Sequence, residues 1–252
     1  MQELLKLKEY LKKEEQAFFQ GWDFSYLDGR IKSEALAWDY RALVNQYRTP
    51  GQQLLDMHTG GGEFLMSLGH PHERTCVIEG WEPNLRLCRQ RLAPLGITVK
   101  AAGDNNQIDY EDEQFDLVIN RHGDFLPVEI VRVLKPGGIF ITQQVGCKNN
   151  RVLIRKLMGE LACPCPDHDL QHNTAMLNQA GMQILWQKEM MAEMSFYDLG
   201  AVVFLARQLP WEFPGFSVDT HFHAVAALGD ELTESGVIWN QAHRFVIAAR
   251  KI

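Results

Sequence analysis

Short apolar runs and longer amphipathic stretches alternate through the middle of the chain, residues 51–189, and one more apolar run lies near residue 252. Runs of about 4–8 apolar residues bounded by turn residues are typical of strands, and the longer stretches, such as PNLRLCRQRLAPL and PVEIVRVL, are typical of helices. The alternation predicts an α/β protein with a Rossmann-like, seven-stranded, mainly parallel sheet and helices on both faces. Its expected strands are QLLDM, TCVIEG, ITVKAA, FDLVIN, GGIFITQQV, MQILWQKE and RFVIAA.

The two regions that flank this pattern differ from it in residue pattern and in aromatic content. Residues 1–50 and 190–242 are helical in pattern and rich in aromatic residues, with a Pro/Gly break at LPWEFPGFSV in the second region. We therefore expect three parts: an N-terminal helical cap over 1–50, an α/β core over 51–189 and 243–252, and a helical insert over 190–242 that also serves as a cap. No internal repeat or low-complexity linker interrupts them.

Composition narrows the class of protein. The 25 Lys and Arg residues are outnumbered by 32 Asp and Glu residues, which gives a net charge of -7 and disfavours a nucleic-acid partner. The five cysteines are an odd number without framework spacing, and no apolar run approaches the ~18 residues that span a bilayer. The first residues mix Leu with Lys and Glu, unlike a signal peptide. These features predict a cytoplasmic protein without a membrane segment. A monomer or a homodimer is expected.

The stretch LLDMHTGGGEFL, residues 54–65, carries the strongest chemical signal. Three consecutive glycines, 60–62, let the backbone take left-handed angles and approach a ligand, and the helix that follows presents free N–H groups to it. A dinucleotide-binding loop needs glycines at positions one, three and six, but the sixth position from Gly60 is Leu65. Asp56 suits a ligand with an ammonium and a sulfonium group better than a pyrophosphate. A structural turn before a helix is the alternative.

This loop resembles the first motif of the class I S-adenosylmethionine-dependent methyltransferases, an aspartate followed by glycines at alternating positions. Asp56 to Gly62 reads DMHTGGG, so His58 stands in the place of the first glycine. WDFSYLDGR, NRHGDF, LKPGGIFITQQVG and PWEFPGFSV are similar to one bacterial group of these proteins, the type 11 group. The resemblance implies S-adenosylmethionine as cofactor and S-adenosylhomocysteine as product. We expect His58 to keep an ordinary extended backbone, its ring lying beside the cofactor's methionine portion or filling space under the cap.

Acidic residues after the second and third strands are implied to hold the rest of the cofactor. Glu79 lies 23 residues after Asp56, where a carboxylate can accept hydrogen bonds from both ribose hydroxyls. Glu82, on the same loop, is a rival for this role, and a solvated loop carboxylate is the simpler alternative. Asp104 is implied to accept from the adenine amino group, although Gly103 to Asn105 also reads as a plain turn.

The residues after the fourth strand, 120–123, are implied to line the methionine end of the cofactor and the acceptor pocket, since open α/β sheets bind ligands beyond the carboxyl ends of their strands. Arg30 is a further candidate, for the cofactor's carboxylate. The predicted cofactor-binding residues are Asp56, His58, Thr59, Gly60, Gly62, Glu79, Gly80, Asp104, Asn105, Asn120 and Arg121. No metal site is predicted, because Cys163, Cys165, His168 and His172 lack the usual zinc spacing.

Methyl transfer from a sulfonium is a direct displacement, so the protein mainly has to align donor and acceptor and exclude water. A base is needed only where the acceptor must lose a proton, and His122 is the first candidate because histidine titrates near neutral pH. A histidine bonded to a loop carbonyl is the alternative. Gln143 and Gln144 end the fifth strand and are candidates to point into the pocket. A solvent-facing strand edge is the alternative for one of them, because successive side chains face opposite ways.

A small, partly apolar acceptor is predicted, held by aromatic residues of the cap and the insert, although the same residues could simply pack on the sheet. Neither an N-P-P-Y motif nor a Pro-Cys pair follows the fourth strand, which disfavours two classes of nucleic-acid methyltransferase. The alternatives to a small-molecule methyltransferase are an RNA or protein methyltransferase and a non-catalytic S-adenosylmethionine-binding protein. His58 keeps the last alternative open.

Overall fold

The structure is a computed structural model that describes residues 2–20, 22–103 and 106–252. In these residues one sheet contains eight strands. Their bounds are β1 Ile31–Ser33, β2 Leu54–Met57, β3 Thr75–Glu79, β4 Thr98–Ala101, β5 Phe115–Arg121, β6 Leu134–Val145, β7 Met182–Phe196 and β8 Ile238–Lys251. The strand order is β1-β7-β8-β6-β5-β2-β3-β4. Strands β2 to β6 pair in parallel, whereas β8 runs antiparallel to β6 and β1 runs antiparallel to β7.

Helices connect most of these strands. Their bounds are α1 Gln2–Glu15, α2 Tyr40–Tyr47, α3 Glu63–Ser67, α4 Glu82–Arg91, α5 Pro127–Val133, α6 Arg151–Met158, α7 Leu170–Gln179, α8 Leu199–Gln208 and α9 Val218–Ser235. Local sequence explains several starts: Asp39 caps α2 by accepting from the N–H groups of Arg41 and Ala42, and prolines stand in the first turns of α4 and α5.

The predicted α/β class is confirmed, and all seven predicted strands are present. The sheet has one strand more than predicted, because β1 pairs with the end of β7 through Ile31 and Phe196. Strands β7 and β8 are also longer than predicted, so that the two ends of the region 190–242 are strand and not helix. Sequence patterning missed β1 because its residues, Ile-Lys-Ser, contain a single apolar side chain.

The chain divides into two compact units. The core unit contains residues 37–146, 168–190 and 244–252, and the accessory unit contains residues 1–36, 147–167 and 191–243. Helix α2, which the sequence assigned to the N-terminal cap, therefore lies in the core unit.

In the core unit both faces of the sheet are covered by apolar side chains. Neighbouring residues of one strand belong to different clusters: Leu54 packs in the cluster that contains residues of α2, α3 and α4, and Leu55 packs in the cluster that contains residues of α5 and α7. Side chains alternate in direction along a strand, so a strand with both faces buried reads as a continuous apolar run. This is why the parallel strands were visible in the sequence.

In the accessory unit Arg30 holds two carboxylates. Its Nε and Nη2 donate to the two oxygens of Asp198, at 2.9 and 2.6 Å, and its Nη1 donates to Oε2 of Glu14 at 2.9 Å. Asp198 also caps α8 by accepting from the N–H of Ala201 at 2.8 Å. The expectation that Arg30 reaches a cofactor carboxylate is thus corrected: its guanidinium already binds carboxylates of its own unit.

Replacing Arg30 with methionine is expected to lower the free energy of unfolding by about 1–3 kcal/mol, because the change leaves two partly buried carboxylates without their cation. The Glu14 side chain is only 11% exposed. Urea denaturation measures the effect. Arg86→Met is the matched control, because Arg86 and its partner Glu82 are mostly exposed, and a loss of similar size there would contradict the prediction.

None of the helices in the described part of the chain combines the length and the apolar character needed to cross a membrane.

Candidate functional site

The glycine loop follows β2 and leads directly into α3. Gly60 and Gly62 both have left-handed backbones, with φ of +67° and +82°, and Gly62 is the residue before the first turn of α3. A side-chain carbon built on Gly60 would meet no atom within 4 Å. The loop therefore has open space beside its backbone, and its left-handed conformation favours glycine there.

Asp56 lies at the carboxyl end of β2, 4% exposed, and its Oδ2 accepts a hydrogen bond from Oγ1 of Thr59 at 2.5 Å. Burial raises the pKa of Asp56 to about 7, although the Thr59 hydroxyl and the charge of Arg121 act in the opposite direction. Negative charge on Glu79 adds to the rise. Asp56 is therefore a carboxyl group that changes its charge near neutral pH, and a cation bound beside it would favour the charged form.

Glu79 lies at the end of β3 and is 3% exposed. Its Oε2 accepts from the N–H of Gly60 at 2.9 Å and its Oε1 accepts from the N–H of Trp81 at 3.0 Å. The rival carboxylate, Glu82, is exposed and pairs with Arg86 at 3.4 Å within α4. The structure thus brings Glu79 to the glycine loop and leaves Glu82 on the surface of the helix.

His58 departs from the expected backbone. Its φ is +56°, in the left-handed region, where the expectation was an ordinary extended conformation. The position keeps the backbone angle that glycine takes easily, although a histidine occupies it. A side-chain carbon on Gly123 would lie 2.5 Å from Cγ and Cδ2 of His58, and one on Gly80 would lie 3.5 Å from its Cε1. The imidazole therefore lies between the segments that follow β3 and β5.

Asn120 is the last residue but one of β5 and pairs with Met57 of β2, and its side chain is fully buried. Its Oδ1 accepts from Oγ1 of Thr142 at 3.0 Å and from Nε2 of Gln144 at 2.6 Å. Its Nδ2 has no hydrogen-bond partner among the described residues. A buried donor without a hydrogen-bond partner lowers the stability of the fold, and a ligand with an acceptor atom would give it a partner.

Gln143 and Gln144 are both buried, so neither is the solvent-facing edge residue that was one of the expectations. Gln144 donates to Asn120, to Thr142 and to the carbonyl of Gly123. Gln143 has different partners: its Oε1 accepts from Nε1 of Trp38 at 2.8 Å, and its Nε2 lies 3.2 Å from Nε2 of His122.

His122 has a left-handed backbone, with φ of +65°, and remains accessible to solvent. Protein atoms crowd its ring, and this crowding together with the charges of Arg244 and Arg121 lowers its pKa below the usual range. The alternative expectation, a ring bonded to a loop carbonyl, is not what the structure has, since its Nε2 contacts the amide of Gln143.

Two contacts beside the site were not predicted from the sequence. The buried hydroxyl of Tyr40 donates to the carbonyl of Asn120 in β5 at 3.0 Å and to that of Ile141 in β6 at 3.3 Å. The guanidinium of Arg121 lies 4.9 Å from the centre of the Phe64 ring, which indicates a cation–π contact. Neither pair is close in sequence, so no local signal could have found them.

Asp104 and Asn105, which the resemblance assigns to the adenine end of the cofactor, lie outside the described residues. Within the described residues no group of three His, Cys, Asp or Glu side chains could hold a metal ion. Cys163 donates to the carbonyl of Cys147 at 3.2 Å, and Cys165 is exposed.

Comparison with known proteins identifies the segment that holds this site. Residues 55–142 match the family model of the methyltransferase domain, from β2 to β6. The phthiotriol/phenolphthiotriol dimycocerosates methyltransferase of Mycobacterium tuberculosis is 31% identical to the chain over 111 residues, which cover 40% of this chain and 40% of that protein. The chain thus matches less than half of the relative's length.

Solved structures agree on the fold. A SAM-dependent methyltransferase of Aquifex aeolicus has a TM-score of 0.51 at 14% identity, covering 97% of this chain and 98% of that one. A candidate methyltransferase of Bacillus halodurans has a TM-score of 0.57 at 17% identity, covering 84% and 98%. Likeness at such identities shows the fold alone.

Proposed function

Since residues 55–142 match the family model of the methyltransferase domain and the chain shares its fold with a SAM-dependent methyltransferase, we propose that the protein transfers a methyl group from S-adenosylmethionine to a small, partly apolar acceptor. The observation that carries the proposal is the pair of buried carboxylates, Asp56 and Glu79, which flank an open glycine loop inside that segment. A cofactor with positive charge and ribose hydroxyls matches both carboxylates.

The residues present fit this cofactor. The oxygens of Glu79 each accept one backbone N–H, and an ionised carboxylate offers about four acceptor positions, so two remain for ribose hydroxyls. The open space at Gly60 allows a ligand to approach the backbone, and Nδ2 of Asn120 is a buried donor that needs an acceptor. Asp104 and Asn105 are proposed for the adenine on the resemblance alone.

When bound, S-adenosylmethionine supplies a methyl group on a sulfonium sulfur, which is a good leaving group. The task of the chain is then to bind and orient both reactants and to exclude water. Asp56 places negative charge beside the glycine loop, Glu79 fixes the loop by holding the N–H of Gly60, and Thr59 fixes the carboxylate of Asp56. We propose that His58, Gly62, Gly80 and Arg121 complete the cofactor site.

Titration calorimetry with S-adenosylmethionine and with S-adenosylhomocysteine tests the cofactor. We expect both to bind, and absence of heat with either at ligand concentrations well above the micromolar range would refute the proposed function. Methyl transfer is tested with S-adenosylmethionine that carries a deuterated methyl group and a mixture of small-molecule acceptors. A labelled product in the mass spectrum supports the proposal.

Replacing Glu79 with glutamine is expected to weaken the binding of S-adenosylhomocysteine by about tenfold or more, because the amide turns an N–H₂ group toward a backbone N–H or a ribose hydroxyl. Glu82→Gln is the matched control, since it removes the same charge three residues further along the chain, at an exposed side chain of α4. Calorimetry compares the two variants. An equal loss in both would mean that Glu79 acts only through its net charge.

A second candidate function, a protein that binds S-adenosylmethionine without transferring its methyl group, is favoured by one observation. The ring of His58 lies between Gly80 and Gly123, in the loop where the family has a glycine. If the ring takes the cofactor's place, His58→Gly will bind S-adenosylmethionine more tightly than the unaltered protein. If the ring contacts the cofactor, as we propose, His58→Gly will bind it no more tightly.

A further inference from the structure

Three side chains of the core unit form a hydrogen-bonded row that ends at His122. Nε1 of Trp38 lies 2.8 Å from Oε1 of Gln143, and Nε2 of Gln143 lies 3.2 Å from Nε2 of His122. Gln143 is buried, and Trp38 is partly buried against the apolar cluster that covers one face of the sheet. The backbone adds a further link, because the N–H of His122 donates to the carbonyl of Gln143 at 2.8 Å.

The chemistry of the first member fixes the direction of the whole row. An indole N–H can only donate, so the atom of Gln143 that faces Trp38 is the amide oxygen. The other atom of the amide is then the nitrogen, which also only donates. Nε2 of His122 must therefore accept, and the neutral imidazole carries its proton on Nδ1. If Nε2 of His122 were protonated, its N–H would face the N–H of the Gln143 amide, and no hydrogen bond could form between them.

The remaining nitrogen is available to a ligand. Nδ1 of His122 makes no hydrogen bond to any residue in the described ranges, and the residue is exposed. The ring follows β5, next to residues of the proposed cofactor site, and open α/β sheets bind their ligands at these strand ends. An N–H group in this place can donate a hydrogen bond to a ligand that binds at these strand ends.

The charges around His122 indicate which kind of ligand group its Nδ1–H would bind. Arg121 and Arg244 both place positive charge at the ring of His122, and they act with the surrounding protein atoms to lower its pKa. Among the described residues, the two charges that lower this pKa are both cationic. An anionic oxygen suits a neutral N–H donor in a positive field, whereas a cationic amine is repelled by it.

We propose that His122 recognises the methyl acceptor by donating a hydrogen bond from Nδ1 to an anionic oxygen, and that it is not the base of the reaction. The substrate class is then a small molecule with a carboxylate or phenolate group. The proposal rests on the proposed function, since it concerns the acceptor of the same site. It replaces the expectation that His122 removes a proton.

The tautomer is tested first, on the protein without added ligand. Long-range ¹H–¹⁵N spectra of protein labelled at its histidines distinguish protonated from unprotonated ring nitrogens, and His122→Gln assigns the signal of His122. We expect a protonated Nδ1 and an unprotonated Nε2 at neutral pH, unchanged down to pH 5. A protonated Nε2, or a ring that becomes charged between pH 6 and 7, would overturn the proposal.

Two variants test whether the row sets the tautomer. Gln143→Glu offers a carboxylate to both neighbours, so we expect the proton to move to Nε2 and the pKa of His122 to rise. Trp38→Phe removes the donor that orients the amide, so a mixture of tautomers is expected. Trp239→Phe is the control, because Trp239 is exposed and lies outside the row. An unchanged spectrum of His122 in both variants would contradict the row.

Recognition of the anion is tested with sodium benzoate and benzamide in the presence of S-adenosylhomocysteine. Benzoate is expected to shift the Nδ1 signal of His122 and to bind about tenfold more weakly to the His122→Gln variant, while benzamide binds weakly to both. Equal binding of the two compounds, or of benzoate to both proteins, would overturn the proposal. Because the tautomer is read without cofactor, its failure is distinguishable from failure to bind S-adenosylmethionine.

Discussion

The affinity for S-adenosylmethionine is expected to rise as the pH increases from 6 to 8, and Asp56→Asn is expected to remove this dependence and to lower the affinity at pH 8 by about tenfold or more. Burial raises the pKa of Asp56 to about 7. Below that pH the carboxyl group is neutral, and above it the group offers a negative charge to a cationic cofactor. Binding therefore requires the loss of a proton at low pH, which costs up to about tenfold in affinity per pH unit.

Calorimetry at several pH values measures this linkage, and Asp109→Asn is the control because Asp109 is an exposed carboxylate. The pH dependence must persist in that control. If the unaltered protein binds with the same affinity at pH 6 and pH 8, Asp56 does not meet the positive charge of the cofactor.

The same carboxyl group predicts how stability varies with pH in the absence of cofactor. An unfolded aspartate has a pKa of about 3.9, and the folded value here is about 7, so between these values the folded state holds one more proton than the unfolded state. Stability contributed by Asp56 therefore falls as the pH rises from about 4 to about 7. At pH 8 the free energy of unfolding of the Asp56→Asn variant is expected to be a few kcal/mol larger than that of the unaltered protein. At pH 4 the two free energies are expected to be nearly equal.

Gly123→Ala is expected to lower the unfolding free energy by about 1–3 kcal/mol, and His58→Gly is expected to abolish most of that loss. The added carbon would lie 2.5 Å from two ring atoms of His58, so the ring or the loop must move. The backbone of His58 is itself left-handed, with φ of +56°, which is a costly conformation for a residue with a side chain. With glycine at position 58 the space now filled by the imidazole ring is free for the added carbon, and the left-handed backbone costs less conformational free energy.

Urea denaturation of the two single variants and the double variant gives the interaction energy of the pair, for which we expect about 1–3 kcal/mol. Gly80→Ala is the matched control, because its added carbon would meet the same ring at 3.5 Å, an ordinary contact distance. A Gly123→Ala effect that is the same with histidine and with glycine at position 58 would show that the two residues do not share one space.

Local patterning was sufficient for the parallel part of the sheet. Strands such as β2 and β5 are buried on both faces, so they appear in the sequence as nearly unbroken apolar runs. The loop after β2 was recognisable because its consecutive glycines allow backbone angles and close contacts that residues with side chains rarely allow. The positions of Asp56 and Glu79 at strand ends followed from the same runs. Strand β1 could not be read in this way, since its edge position is set by pairing with β7, far along the chain.

The sequence by itself determined the fold class, the glycine loop and the two carboxylates beside it, because these depend on neighbours within a few residues. Only the tertiary structure decided how the other polar groups are used. Arg30 binds carboxylates of its own unit, His58 shares space with Gly123, and Gln143 orients His122. Each of these depends on residues 16 or more positions apart, whose meeting is fixed by strand pairing and packing and not by any local preference.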